Sequence, residues 1–349
     1  MPGHLKKLLP PLALLAFITP ASPQALQPDA DPVAVARLLA ARYPGQASMS
    51  YIPALAWAGQ LRLSALTGET QWREKALRAV EPFTSGQTPV IAEPYRLTSL
   101  AGALMFAEAS AAGDAKAAAL LDTVASFMVR DRGVAPVAFM TGWTDDMFMA
   151  GSVLARAPMD SDRWDGLGRI LLTNIATLQR EDGLFIHATK APHAWGRGNG
   201  FALLGLTEAL TYLPPEWGPR AEVLAAYRRH VAALARHQSD DGSWRQVVDE
   251  PSSYRELTVT AITTAALARG IARSWIDRQT YEPIVNRGWQ AVAARVNADG
   301  TVRDVCSGTG AGETKEYYLN RPVVNGADDR GGAMALLAAV EMANLRNTG

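Results

Sequence analysis

The chain carries one cysteine, Cys306, in 349 residues. A single thiol closes no internal disulfide and builds no cysteine-based metal cluster within one chain, so disulfide scaffolds and zinc ribbons are excluded. An excess of charge of either sign is missing too: 34 Lys and Arg balance 34 Asp and Glu. Nucleic-acid binders usually leave a basic stripe, and nothing here favours such a partner. No phosphate loop of the Gly-x-x-x-x-Gly-Lys type, no His-Glu-x-x-His and no calcium loop is present, so no metal and no cofactor are expected. Long hydrophobic runs are scarce. The run at 8–18 follows Lys6 and Lys7 and leads into a small-residue segment at 19–25. It is too short to span a bilayer and reads as a signal peptide over 1–25, cleaved near Ala21 or Ala25. The expectation is an exported, periplasmic or secreted protein with no membrane span, whose remaining residues, 26–349, form a single domain.

With 48% hydrophobic residues the chain can bury a large core, and its organisation is repetitive. The segments "QREDGLFIHA", "HQSDDGSWRQV" and "VNADGTVRDV" each end a helical stretch on an Asp-Gly turn, and their aspartates, Asp182, Asp241 and Asp299, lie 59 and 58 residues apart. Such a period signals a repeat architecture. Helices rich in Ala, Gly and Leu begin near positions 54, 97, 147, 201, 258 and 331, and amphipathic ones fill roughly 31–42, 71–81, 115–130, 162–180, 219–238 and 279–296. Small-residue helices tolerate crowding on every side, whereas one-sided polar helices suit an outer layer. Six pairs of this kind predict an all-α (α/α)6 barrel, with an open solenoid as the other arrangement. Only "GLFIHA" and "GSWRQVV" read as short strand pieces.

Polar and aromatic residues cluster in the connections that lead into the inner helices: "AEPYR" at 92, "GWTDDMF" at 142, "HAWGRGNG" at 193, "PSSYRE" at 251 and "NGADDRGG" at 325. All these loops would gather at one mouth of the barrel, where a rigid scaffold concentrates function. Capping competes with function for several of these residues. Asp145 or Asp146 could cap the helix from Met147, and Asn199 and Asp329 could cap theirs. Capping leaves one aspartate of the pair over, and it needs neither Trp143 nor the pair Trp195 and Arg197. Trp57, Trp164 and Trp217 read as lids on the core.

"GWTDDMFMAG", in which Trp143, Asp145 and Met149 are spaced as Trp-x-Asp-x-x-x-Met, is followed by "WGRGNG", and with "DGLFIHA" and "YRELTVTA" it resembles the unsaturated glycuronyl hydrolases of glycoside hydrolase families 88 and 105. The resemblance runs from about 50 to 345. It implies an (α/α)6 barrel that removes an unsaturated uronic acid from the non-reducing end of oligosaccharides left by polysaccharide lyases. It also implies that Trp143 packs on the sugar and that His187 contacts the sugar or the water. The partner is then an unsaturated uronic-acid-terminated oligosaccharide, handled by a monomer or homodimer.

The chemistry suits the residues. Hydration of the C4=C5 vinyl ether needs a carboxylic acid that holds its proton near neutral pH; that role falls to Asp145, with Asp146 as a cap or as the neighbour that favours the protonated form. Arg197 suits a two-pronged grip on the substrate carboxylate, on a loop that Gly196, Gly198 and Gly200 keep thin, with Trp195 as a stacking face. Its rival role is an ion pair with Asp328 or Asp329. Asn199 and Arg96 complete the expected contacts. The family's second acid has no Asp counterpart before the second inner helix, so Glu93, Asp146 or Glu256 must supply the supporting carboxylate. Other functions remain open on the same barrel. An inverting glycosidase would pair Asp145 with Asp329 or Glu256, an isomerase would use paired histidines where only His187 and His193 fall, and a sugar-binding protein would not need Asp145.

Overall fold

A computed structural model describes residues 24–130, 135, 137–158 and 160–348. The expected signal segment lies outside the described residues except at Gln24 and Ala25, which pair with the backbone at 297–298. In chain order the helices are α1 (Pro32–Arg42), α2 (Tyr51–Thr67), α3 (Thr70–Thr84), α4 (Leu97–Leu100), α5 (Leu104–Ala111), α6 (Ala115–Val129), α7 (Asp145–Leu154) and α8 (Ser161–Leu178). A single 3-10 turn, Ala101–Ala103, joins α4 to α5. Then come α9 (Gly196–Tyr212), α10 (Arg220–Arg236), the strands β1 (Trp244–Arg245) and β2 (Arg255–Glu256), and α11 (Leu257–Ala272). The chain ends with α12 (Arg278–Ala293), β3 (Val302–Cys306), α13 (Lys315–Leu319), β4 (Val323–Gly326) and α14 (Asp329–Asn347).

The helices alternate between two layers. In the inner layer α2, the α4–α5 unit, α7, α9, α11 and α14 each pack on the next, and α14 returns to α2. Their Ala and Gly residues permit this crowding: a Cβ on Gly205 of α9 would come within 2.5 Å of the Met147 backbone in α7, and one on Gly59 of α2 would meet Leu336 of α14 at 2.7 Å. Around them α3, α6, α8, α10 and α12 each cover the preceding inner helix, while α1 covers α14. The open solenoid is thereby set aside, and the fold is an (α/α)6 barrel.

The Asp-Gly repeat has a common physical basis. Asp182, Asp241 and Asp299 each accept an N–H from the residue two positions on, and Gly183, Gly242 and Gly300 take φ values of 93°, 84° and 78°, where a side chain is strained. Each turn abuts the next outer helix: Gly183 lies against Arg229 of α10, Gly242 against Arg287 of α12, and Gly300 against Leu38 and Arg42 of α1. The third contact returns to the first outer helix, so the repeat itself closes the circle.

At the C-terminal ends of the inner helices stands a ring of charge. Arg62, Glu108, Arg156, Glu208, Arg269 and Glu341 come from α2, α5, the end of α7, α9, α11 and α14 in turn. Every neighbour in this circle is an ion pair, including Arg156–Glu208 at 2.6 Å, Glu208–Arg269 at 3.2 Å and Glu341–Arg62 at 3.1 Å. Strict alternation of sign around a closed circle needs an even number of members, so a barrel of five or seven pairs would set two like charges side by side. The ring thus disfavours the wrong helix number as well as plugging that mouth.

Candidate active site

The N-terminal ends of the inner helices form the other mouth, and two backbone contacts assemble it. The Thr144 N–H donates to the His187 carbonyl at 3.0 Å, and Trp143 bridges Ala188 in a short antiparallel contact. These ties bring the "GWTDD" loop onto "FIHA". Asn199 fixes the second loop from below: its Oδ1 accepts the Phe185 N–H at 2.9 Å and its Nδ2 donates to the Phe185 and Trp195 carbonyls. The side chain of Asn199 is therefore a staple under His187, and it caps no helix.

Asp145 and Asp146 occupy the first turn of α7, and neither caps it; Thr144 holds that position without a side-chain bond. They face different ways. Asp146 is buried and reaches back, accepting the Thr141 and Gly142 N–H groups at 2.9 and 2.7 Å on Oδ2 and the Thr141 hydroxyl at 2.9 Å on Oδ1. Burial pushes its carboxyl up to about 6, aided by the charge of Asp145 and opposed by the bonds from Thr141 and Gly142. Asp145 is partly open, with Oδ2 at 3.2 Å from His187 Nε2. It opens on a cavity of about 480 Å³ lined by Tyr95, Arg96, Phe139, Trp143, Asp146 and Met149, among others.

His187 is fully buried. Its ring lies between Trp143, at 5.2 Å between centroids, and Trp195, at 4.6 Å, and its Nδ1 is 2.8 Å from the Tyr318 hydroxyl. Sequence reasoning did not include Tyr318. It sits on α13, in an excursion between β3 and β4 that folds over the site, 131 residues from its histidine. No local motif marks it.

Arg197 and its glycines differ from expectation. Helix α9 starts at Gly196, five residues before the apolar pattern begins at Phe201, so "GRGNG" is its first turn. Tertiary packing overrides the poor helix propensity of glycine here. The missing side chains admit the protein's own backbone and side chains: a Cβ on Gly196 would lie 2.6 Å from the Arg245 carbonyl, and one on Gly198 would lie 2.8 Å from Thr144 Oγ1. Trp195 is 1% exposed, with the Arg197 guanidinium 4.9 Å from its ring centre and Tyr318 beside it. Arg197 donates from Nη1 to the Cys306 carbonyl and from Nη2 to the Ser307 carbonyl, each at 2.7 Å. It pairs with neither Asp328 nor Asp329, and its Nη1 and Nη2 are each held by a carbonyl at the end of β3.

The candidate supporting acids separate. Glu93 is exposed and does not line the cavity of Asp145. Glu256 caps α11, accepting Val259 N–H at 2.8 Å and the Thr258 hydroxyl, and it also takes the Cys306 N–H at 2.8 Å. Asp329 accepts the Gly45 N–H, and Asp328 is the cap of α14. Asp146 alone stays beside Asp145. His193 is tied to the Glu313 carbonyl at 3.0 Å, so among the described residues no pair of histidines faces the cavity. Among the described residues no group of three or more His, Cys, Asp or Glu is placed to hold a metal ion, and no helix is long and apolar enough to cross a membrane.

Comparison with known proteins places the chain in a family. The family model described as Glycosyl Hydrolase Family 88 matches residues 36–346. An unsaturated rhamnogalacturonyl hydrolase of Bacillus subtilis is 28% identical over 192 residues, which are 52% of this chain and 54% of that protein. An unsaturated 3S-rhamnoglycuronyl hydrolase of Formosa agariphila is 33% identical over 31% of this chain and 29% of its own length. The chain thus spans about half or less of these relatives. A possible member of the GH105 family from Klebsiella pneumoniae superposes with a TM-score of 0.80 at 18% identity, over 99% of this chain and 100% of that one. An unsaturated glucuronyl hydrolase from Bacillus sp. GL1 gives 0.67 at 17% identity, over 90% and 96%. On the family match across nearly its whole length, the chain belongs to Glycosyl Hydrolase Family 88.

Proposed function

We propose that the protein hydrolyses the terminal unsaturated uronic acid of lyase-generated oligosaccharides, with Asp145 as the proton donor. The observation that carries this reading is that Asp145 has one oxygen held by His187 while the carboxyl opens on a cavity in which, among the described residues, the buried Asp146 is the one other carboxylate. An inverting glycosidase needs two carboxylates across a water, and here Glu256 and Asp329 are both committed to backbone N–H groups. The relatives named for rhamnogalacturonyl and rhamnoglycuronyl substrates support an unsaturated uronyl residue linked to rhamnose.

In this mechanism the Asp145 carboxyl gives its proton to C4 of the vinyl ether, and positive charge develops at C5. Water adds at C5 and returns a proton to the Asp145 carboxylate. The hemiketal opens to a ketone, and the hemiacetal left at C1 expels the leaving sugar. Trp143, half-buried at the cavity edge, supplies an apolar face to the ring. Arg96, exposed on the same cavity, takes the substrate carboxylate through charge-assisted bonds, and Met149 closes the floor. Tyr95 and Phe139, partly exposed at the outer wall, suit the methyl-bearing face of a deoxysugar. Export is part of the reading, supported by Lys6, Lys7 and the apolar run that follows them.

The test is loss of the ultraviolet absorbance of the conjugated C4=C5 bond, measured on lyase-generated disaccharides from pectin, ulvan, xanthan and glycosaminoglycans. The expected result is a decrease with the wild type and one about 100-fold or more slower with Asp145→Asn. Release of reducing sugar from saturated chains, with every unsaturated uronide left intact, would replace this reading with the inverting glycosidase. Binding without turnover would replace it with a sugar-binding protein.

A further inference from the structure

The geometry points to Tyr318 as a positioning residue that selects the tautomer of His187 and, through it, the oxygen of Asp145 from which the proton leaves. A count of hydrogens fixes the tautomer. The Tyr318 oxygen accepts the Gly312 N–H at 3.1 Å, and the acceptor within reach of its own hydrogen is His187 Nδ1, at 2.8 Å. Burial pushes the phenol up to about 12, so it keeps that hydrogen at any working pH. A ring nitrogen that accepts cannot also carry a proton. The neutral imidazole therefore bears its hydrogen on Nε2 and donates it to Asp145 Oδ2, at 3.2 Å. An acid oxygen that accepts this bond is the carbonyl oxygen of the protonated acid. The acidic hydrogen then sits on Oδ1, the oxygen to which no described residue donates.

The surroundings hold this arrangement in place. Trp143 and Trp195 pack against the fully buried imidazole. The excursion that carries Tyr318 is fastened by the bond from His193 to the Glu313 carbonyl and by Thr314, which caps α13. Gly312 must lack a side chain, since a Cβ there would lie 2.1 Å from the Tyr317 ring. With the phenol oxygen removed, Nδ1 faces a polar gap, and the ring is free to carry its hydrogen on either nitrogen. With the hydrogen on Nδ1, Nε2 becomes an acceptor, which draws the acidic hydrogen to Oδ2 and away from the cavity.

The kinetic part of this inference rests on Asp145 as the acid; the tautomer itself does not. The test uses the full chain labelled with 15N-histidine, in which the nitrogen resonances of the imidazole report which one is protonated. The wild type is expected to show His187 protonated on Nε2, and Tyr318→Phe is expected to lose that fixed pattern. On an unsaturated disaccharide, Tyr318→Phe should lower kcat about 10- to 100-fold with little change in KM, as for other orienting partners of a functional histidine. Loss of packing alone would leave the tautomer unmoved. An unchanged tautomer, or an unchanged kcat on a substrate the wild type turns over, overturns the inference. A tautomer that moves in a protein whose wild type acts on no unsaturated uronide overturns the proposed activity and leaves the role of Tyr318 standing. Should Tyr318→Phe not fold, fluorotyrosine in place of tyrosine keeps the shape and strengthens the phenol as a donor. The His187 Nδ1 resonance must then shift, and its failure to shift overturns the inference as well.

Discussion

The two mouths of the barrel use polar groups in opposite ways. At the C-terminal mouth six charged side chains satisfy one another around a closed circle, five from within inner helices and Arg156 from the turn just past α7. At the N-terminal mouth the polar groups come from loops, first turns and one long excursion, and several lack partners: Thr144 Oγ1 and Trp195 Nε1 are buried without a hydrogen bond. A structural device needs every group matched. The proposed reaction needs an acid group left unmatched, and an oxygen of Asp145 is such a group. The ionisable groups diverge accordingly. Burial raises Asp146 to about 6 at the N-terminal mouth. In the ring burial alone would also raise Glu108, but the guanidiniums of Arg62 and Arg156 more than reverse this and hold it at about 2.

Separate substitutions should pull the mouths apart. Asp145→Asn is expected to cut turnover by about 100- to 10,000-fold, the usual worth of a general acid, while the denaturant midpoint stays that of the wild type. Glu208→Ala should do the reverse. It leaves Arg156 and Arg269 short of a partner in a buried setting, which costs about 3–5 kcal/mol in denaturant unfolding, with kcat per folded molecule retained. Removing Arg156 together with Glu208 leaves a neutral chain of four alternating charges and should cost less than the single change. If Glu208→Ala lowered kcat as strongly as stability, the contrast between the mouths would fail.

Acidity sharpens the same contrast. The folded pKa of Asp146 lies above its ordinary 3.8, so its contribution to stability is fully present below about 3.8 and is lost as pH rises through about 6, an effect on the order of 3 kcal/mol. Asp146→Asn imitates the protonated acid: its carbonyl can accept the Thr141 and Gly142 N–H groups, and its amide can donate to the Thr141 hydroxyl. Its unfolding free energy should therefore lose the decline between pH 4 and 6 that the wild type shows. For Glu108, whose folded pKa is depressed, the sign is opposite: its contribution is present above 4.5 and disappears as pH falls through about 2. The smallest effect is expected at Arg96. Arg96→Ala should raise KM about tenfold, from the loss of a charge-assisted bond, with kcat changed less.

The architecture was legible because its causes are local and repeated. Small-residue helices alternate with amphipathic ones, and the Asp-Gly turns recur because each performs the same contact with the next outer helix. Asp145, Trp143 and His187 were legible from one short motif and one turn. Other features depend on distance. Tyr318 meets His187 through an excursion whose path no periodicity describes. The carbonyls that occupy Arg197 belong to Cys306 and Ser307, more than 100 residues on. The start of α9 at Gly196 was hidden because the sequence there shows poor helix formers and the packing partners are elsewhere. The ring was written in plain view, one isolated charge late in each inner helix with alternating sign, but a single charge in an apolar helix carries no meaning until the circle is known.

The seating of α1 on α14 makes closure of the barrel depend on both ends of the chain. A chain emerging from the ribosome presents α1 and α2 first, yet the surface that α1 covers and the acid that joins Arg62 to Arg269 both arrive with α14. Arg62 and Glu341 are 279 residues apart in the chain. Without the last inner helix the barrel is an arc with two open edges, because α14 is the element that joins α11 to α2 and carries the surface that α1 covers.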